Sequence, residues 1–198
     1  MSSRDRDVSE FTWTPEEVLA PLRQQGECHH LYNLTKKHIR NFRTAIDIGS
    51  KFGHYSKELV KDFASVHAFD MRAKMRISRK NLKFHNIALG DSNNTVYYTS
   101  ARVNEYRGEN TCKQKKLDDM SIQNVDHIKI DVEGHELLVL RGAVKTIKNY
   151  KPVITIEQNT VIEQEGKGSK WDGIQFLKSM GYWLVDHNGR DDYILIHP

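Results

Sequence analysis

Cysteine is scarce. The 198-residue chain has two, Cys28 and Cys112, too few for a disulfide framework, and both read as reduced thiols of an intracellular protein. Four prolines and 12 glycines exclude collagen-like and low-complexity classes. No apolar run approaches the ~20 residues of a membrane-spanning helix. Residues 1–10 are charged and lack the apolar stretch of a secretory signal. These absences point to the cytoplasm and away from membranes. Neither charge sign dominates either: 30 Lys+Arg against 26 Asp+Glu leave +4, too small an excess for a protein that coats nucleic acid. Apolar residues make up 38%, under the globular norm but well above the disordered range, so the chain can bury a core. The length suits one domain with a small appendage.

Thr14-Pro15-Glu16-Glu17 reads as a helix start, with Thr14 as cap and Glu17 closing a capping box. Pro21 is expected to break or kink that helix after less than two turns, and Gly26 closes the region. A second helix is expected over 31–39, where Leu31, Leu34, Thr35, His38 and Ile39 share one face. Together these form an N-terminal helical cap over 1–43, with the main domain over 44–198. From Thr44 onward, short apolar runs alternate with helical stretches. Strands are expected at 45–49, 66–70, 83–89, 95–99, 126–132 and 153–157, and 100–116 reads as a polar loop. Leu137, Leu140, Val144 and Ile147 place one helix after the 126–132 strand. A capping box over 169–172 opens a helix that Gly181 ends. His187-Asn188-Gly189-Arg190 turns a final hairpin. The alternation predicts an α/β, Rossmann-like three-layer sandwich: a mostly parallel sheet between helices, with one antiparallel C-terminal strand. Ligands of such sheets sit at the carboxyl ends of the strands.

The first strand runs into Asp47-Ile48-Gly49-Ser50-Lys51-Phe52-Gly53-His54-Tyr55-Ser56. Its glycines allow a tight turn and close approach to a ligand just before a helix. No G-K-[ST] follows, so it is not a phosphate loop of the Walker type. Asp47 suits a cationic amine and suits a pyrophosphate poorly. Asp70, 23 positions later at the next strand end, sits where a carboxylate grips ribose hydroxyls. Together they point to an adenosine ligand such as S-adenosylmethionine. The run Ile128-Lys129-Ile130-Asp131-Val132-Glu133-Gly134-His135-Glu136 then crowds four ionisable residues, Asp131, Glu133, His135 and Glu136, where a central strand ends. Desolvation and mutual repulsion there would tune proton affinities for chemistry. Asp131 and Glu133, with His135 between them, read as functional. Glu136 reads as favourable charge at a helix N-terminus. The bland alternative has Asp131 capping the next helix. The cluster does not read as zinc, lacking H-E-x-x-H and a cysteine pair, and no metal is expected. A subordinate alternative holds Mg²⁺ between Asp131, Glu157 and Asn159.

Arg72, Lys74, Arg76, Arg79, Lys80 and Lys83 place six bases and no acid in a short stretch. This reads as a solvated helix face. The functional alternative is an electropositive surface for an anionic glycan, a phosphorylated substrate or RNA. Cys28-His29-His30 is not read as a metal site, and Trp13, Trp171 and Trp183 read as core or lid residues.

Residues 47–56, His67-Ala68-Phe69-Asp70, Asn86-Ile87-Ala88-Leu89-Gly90-Asp91, Leu117-Asp118 and 128–136 occur in the order of FkbM-type methyltransferases. The resemblance continues through Leu140-Arg141-Gly142-Ala143 and 152–157, covering roughly 44–158. It implies a class I Rossmann-like fold that uses S-adenosylmethionine to methylate a hydroxyl on a saccharide or natural product. By that resemblance Asp47, Gly49, Ser50 and Gly53 cradle the cofactor and Asp70 binds its ribose. Asn86 and Ala88 border the adenine, and Asp131 lies near the methyl sulfonium. Lys51, Tyr55, Ser56 and Met71 complete the candidate cofactor set. A base from Asp131, Glu133 and His135 would take the hydroxyl proton, a contribution of about 10²–10⁴-fold. Three departures stand out: Asp70-Met71 replaces the family's Glu-Pro, Lys51 replaces an Asn, and the 71–82 connection is short. The implied partner is a small-molecule or glycan acceptor, anionic if the basic stretch engages it. RNA ribose methylation and a non-catalytic binding module are the alternatives.

Overall fold

The computed structural model describes residues 15–72, 74–99, 102–104, 110–164 and 168–198. In chain order the elements are α1 (Pro15–Lys36), β1 (Thr44–Ile48), α2 (His54–Leu59), β2 (Ser65–Phe69), β3 (Leu82–His85), β4 (Ala88–Leu89) and β5 (Asn94–Thr99). There follow β6 (Arg102–Asn104), β7 (Asn110–Lys115), β8 (Val125–Ile130), α3 (Glu136–Arg141), α4 (Val144–Tyr150) and β9 (Val153–Glu157). The chain closes with α5 (Val161–Gln164), α6 (Asp172–Ser179), β10 (Trp183–His187) and β11 (Asp192–Ile196). The main sheet runs β10-β11-β9-β8-β1-β2-β3. Only β11 opposes the other strands, pairing antiparallel with both β9 and β10. This is the expected mostly parallel sandwich. Strand order reverses between β1 and β8, which opens a crevice at their carboxyl ends.

Strand alternation sorts the two faces of the sheet. Ile46, Ile48, Ile128, Ile130, Ile154 and Ile156 point one way and bury against Val139, Leu140, Ile147, Ile174 and Leu177 of α3, α4 and α6. The opposite face sets Ala45, Val66, Val153 and Ile194 against Leu31, Tyr32, Tyr55, Leu59 and Phe63 from the α1–α2 side. That face also carries a buried polar row, Asp47, Lys129 and Thr155, neighbours in register across β1, β8 and β9. Buried polar groups must be paired, and the helices supply partners. Thr35 Oγ1 donates to Leu31 O at 2.9 Å and so accepts from the Thr155 hydroxyl at 3.0 Å. The His127 ring donates from Nδ1 to Val153 O at 2.9 Å, leaving Nε2 to accept from the Tyr55 hydroxyl at 3.2 Å. Burial keeps that imidazole neutral, its pKa lowered to about 4.

Several expectations are corrected. The two N-terminal helices are one: α1 continues through Pro21 and Gly26 and ends at Lys36, so 31–39 does not start a second helix. Pro21 removes only the bond to the carbonyl four residues back, and Leu31, Tyr32 and Thr35 anchor the helix downstream. Thr14 and Trp13 lie outside the described residues. The expected strand at 83–89 is two, β3 in the main sheet and β4 in a second sheet of order β4-β7-β5-β6. The supposed loop at 100–116 supplies β6 and β7 of that sheet, which packs Val96, Met71 and Ala88 together. The single helix after β8 is α3 and α4, parted at Gly142. The basic stretch is not a helix face: Lys74, Arg76 and Ser78 are exposed while Met75 and Ile77 between them are half-buried, the alternation of extended chain. Trp171 and Trp183 are not core, being 37% and 61% exposed. No helix among the described residues is long and apolar enough to cross a membrane.

Candidate functional site

The crevice between β1 and β8 is built around Gly49. Its φ of +85° suits glycine, and a Cβ there would lie 1.7 Å from the Asp131 carbonyl oxygen, so no side chain can occupy the position. The N–H groups of Gly49 and Ser50 both donate to Phe69 O, at 2.9 and 3.0 Å, and Asp131 N–H donates to Ile48 O at 2.9 Å. These bonds tie the ends of β1, β2 and β8 into one rim. The Ser50 hydroxyl lines the cleft yet is buried with no hydrogen-bond partner. A buried hydroxyl without a partner carries a desolvation cost. Here it faces a cavity in which a ligand could satisfy it.

Asp47 lies 1% exposed at the floor of the cleft. Its Oδ2 accepts from Ser56 Oγ at 2.5 Å, and burial pushes its carboxyl up to about 6 against the pull of Lys129. Asp70 is held from several sides: it accepts from Lys51 N–H at 2.8 Å, Arg72 N–H at 2.7 Å, and the Arg72 guanidinium at 3.0 and 3.1 Å. The Asn86 amide donates to the carbonyls of Asp70 and Met71, at 3.0 and 2.9 Å, and pins the turn after β2. Met71, Ala88 and the neighbouring Ile87 and Leu89 form an apolar wall beyond Asp70. Lys51 and Tyr55 also line the cleft, whereas Gly53, Ser56 and Asn86 support it from behind. Gly53, at φ +88°, begins α2 with Met75 and Ile77 packed over it.

At the β8 end the cleft becomes acidic. Lys129, 5% exposed, places Nζ 2.8 Å from Asp131 Oδ2 and 5.4 Å from the centre of the Tyr55 ring. Burial opposes the charge on Asp131, but Lys129 outweighs it and holds the carboxyl below its ordinary range. Burial, with the Asp131 charge adding to it, pushes Glu157 up to about 9. Glu157 is thus the protonated partner in its hydrogen bond with Asp131. Glu133, at φ +55°, brings a third carboxylate, and one oxygen from each of Asp131, Glu133 and Glu157 lies within 4.8 Å of the others. Asn159 donates its amide nitrogen to Glu157 Oε2 at 3.0 Å.

His135 is buried and lines the cleft, but its Nε2 donates to Gln114 Oε1 of β7 at 3.0 Å, outside the three-carboxylate cluster. Glu136 is structural as expected: its Oε1 accepts from the N–H groups of Val132 and Gly134 at 3.2 and 3.1 Å, shaping the loop. Asp131 does not cap α3, whose N-cap is His135. Lys129 and Arg72 line the cleft although the sequence does not single them out as cofactor contacts, and Glu157, expected there only as a subordinate cation ligand beside Asp131, lines it too. Lys129 was within reach, since residues two apart on a strand share a face and Asp131 follows it by two. Gln24 and Cys28 of α1 also enter the lining, and no local pattern marks them. Burial pushes the Cys28 thiol up to about 12, so it stays protonated.

Strand order, the single antiparallel strand and the crevice at the β1–β8 switch point define a Rossmann-like methyltransferase fold. Residues 72–184 match the family described as the methyltransferase FkbM domain, and the chain belongs to that family. The match begins after the glycine loop and extends beyond the 44–158 stretch that carries the motif resemblance. Methyltransferase FkbM from Methylobacillus flagellatus KT is similar in structure, with a TM-score of 0.57 and 15% identity over 78% of this chain and 43% of that one. The chain therefore spans less than half the length of that relative. The N-methyltransferase NodS from Bradyrhizobium japonicum WM9 gives a TM-score of 0.51 and 10% identity over 87% of this chain and 93% of that one. At these identities the likeness is one of fold. No curated protein matches the sequence.

Proposed function

We propose that the protein is an S-adenosylmethionine-dependent methyltransferase acting on a hydroxyl of a saccharide or natural-product acceptor. The observation that carries the reading is the buried, unpartnered Ser50 hydroxyl beside Asp47 on a loop that Gly49 keeps clear of side chains. Such a cradle fits the amino-acid end of the cofactor, whose ammonium Asp47 suits. Asp70 would take the ribose, sharing its oxygens with Arg72. The wall of Met71, Ile87, Ala88 and Leu89 offers apolar surface to the adenine. When bound, S-adenosylmethionine supplies an electrophilic methyl on a sulfonium.

The residues of the β8 end then divide the work. Ionised Asp131, oriented by Lys129, would face the sulfonium end of the cofactor and help position it. Glu133 is placed to receive the proton of the acceptor hydroxyl as the oxygen–carbon bond forms and the carbon–sulfur bond breaks. His135 is the second candidate, and its Nε2 is engaged with Gln114.

Titration calorimetry with S-adenosylhomocysteine tests the reading. One site per chain is expected, with Asp47→Ala and Asp70→Ala each weakening affinity at least about tenfold, the loss of a charge-assisted hydrogen bond, while unfolding stays cooperative. Unchanged affinity in both variants would contradict it.

A further inference from the structure

Resting on the cofactor reading above, we propose that the groove between α1 and the β10–β11 turn is the acceptor site, and that it takes an uncharged, polyhydroxylated acceptor. This second cavity is walled by Arg23, Glu27 and His30 of α1 and by Asn188, Arg190 and Asp191 of the turn. Its floor is Lys129, Asp131 and Glu157, which also line the cofactor cleft. The two cavities therefore meet at the Asp131–Glu157 carboxyl pair, where an acceptor oxygen and a transferable methyl must come together.

The walls indicate the class of acceptor. Arg23, Arg190 and Lys129 are set against Glu27, Asp131, Asp191 and Asp192, while Glu157 keeps its proton, so the charges come within one of balance. Much of it is already paired: Arg190 Nη1 lies 2.5 Å from Glu27 Oε1 across the groove, and Lys129 lies 2.8 Å from Asp131. A strongly anionic acceptor finds no excess of the opposite sign, and a strongly cationic one finds an excess of only one. No Trp, Tyr or Phe is among the described residues that line the groove, so a planar aromatic acceptor has no stacking surface. What remains is a wall of alternating donors and acceptors, which hydroxyl groups match because each both donates and accepts. The turn that presents them is braced by itself, Asn188 Nδ2 donating to Asp192 Oδ2 at 2.6 Å and Arg190 N–H to Asn188 Oδ1 at 2.9 Å. The Glu27–Arg190 pair is exposed on both sides and therefore weak, so it can open to admit a ligand. The basic 72–83 stretch follows β2, on the other side of β1 from this groove, and so lies off the acceptor's path.

The test is a glycan array of uncharged, sulfated and sialylated oligosaccharides, with RNA oligonucleotides alongside, probed with the whole protein saturated with S-adenosylhomocysteine. Capture of uncharged glycans is expected. It should fall at least tenfold in Arg23→Ala/Asp191→Ala and stay unchanged in Arg79→Glu/Lys80→Glu, with S-adenosylhomocysteine affinity the same in all three proteins. Capture confined to acidic glycans or RNA, no capture at all, or capture indifferent to the groove substitutions would overturn this inference while leaving the cofactor reading intact. Failure of the wild-type protein to bind S-adenosylhomocysteine would overturn both.

Discussion

Lys129 is an ammonium taken out of water, with Asp47 beside it in register on β1 and Asp131 two residues along its own strand. A buried cation is tolerated only where such partners offset its desolvation. The neighbouring carboxyls share one positive charge, so they cannot all ionise freely, and Glu157 keeps its proton up to about pH 9. Glu157 holds that proton in the folded chain at pH values where the unfolded chain, with an ordinary carboxyl near 4.3, has lost it. Stability must then fall as pH rises between those two values. We expect Glu157→Gln to gain in melting temperature relative to wild type as pH climbs from 5 to 9. Asp47, raised to about 6, acts in the same direction, but it is common to both proteins. Parallel melting curves would contradict the assignment. Asp47, Asp70 and Asp131 were legible in the sequence because each closes a strand of evident pattern. Glu157 also closes a strand, but its retained proton depends on Asp131 across the sheet, and the grip of Arg72 on Asp70 was hidden inside a run of bases.

The break between α3 and α4 shows how a distant residue can decide an element. Leu137, Leu140, Val144 and Ile147 keep helical spacing, so periodicity alone predicts one helix. Asp118, from the turn before β8, instead caps the start of α4: its carboxylate accepts from the N–H groups of Lys145 and Thr146 at 2.9 and 2.8 Å, and from the Thr146 hydroxyl at 2.8 Å. Its own N–H donates to Gly142 O at 3.0 Å. Gly142 in turn sits against Gly90, where a Cβ would meet the Gly90 carbonyl oxygen at 1.9 Å. We expect Asp118→Ala to cost about 1–2 kcal/mol, the worth of a lost N-cap, and chemical denaturation will measure it. A loss under about 0.3 kcal/mol would contradict the capping role. β6 and β7 escaped sequence reading for a related reason. Asn110–Lys115 buries only Gln114 fully, so its alternation is polar against polar and carries no hydrophobic signal. The unbroken α1 is not legible at Pro21, because the local cost of one proline says nothing of the anchoring that Leu31, Tyr32 and Thr35 supply downstream.

Across the whole molecule, the order of strands does most to place function. The isoleucine face made the sheet readable from sequence, and alternation of strand and helix gave its parallel sense. The polar face became meaningful only when β1, β8 and β9 were laid side by side, since it is assembled from residues more than a hundred positions apart. It leads to the junction where the cofactor cleft and the α1 groove share Lys129, Asp131 and Glu157. The most direct measurement is a crystal structure of the complex with S-adenosylhomocysteine. The account predicts the amino-acid end on the Gly49–Ser50 loop, the ribose at Asp70, and the thioether sulfur turned toward Asp131 and the groove beyond it. A ligand bound elsewhere, or bound with its sulfur turned away from Asp131, would contradict it.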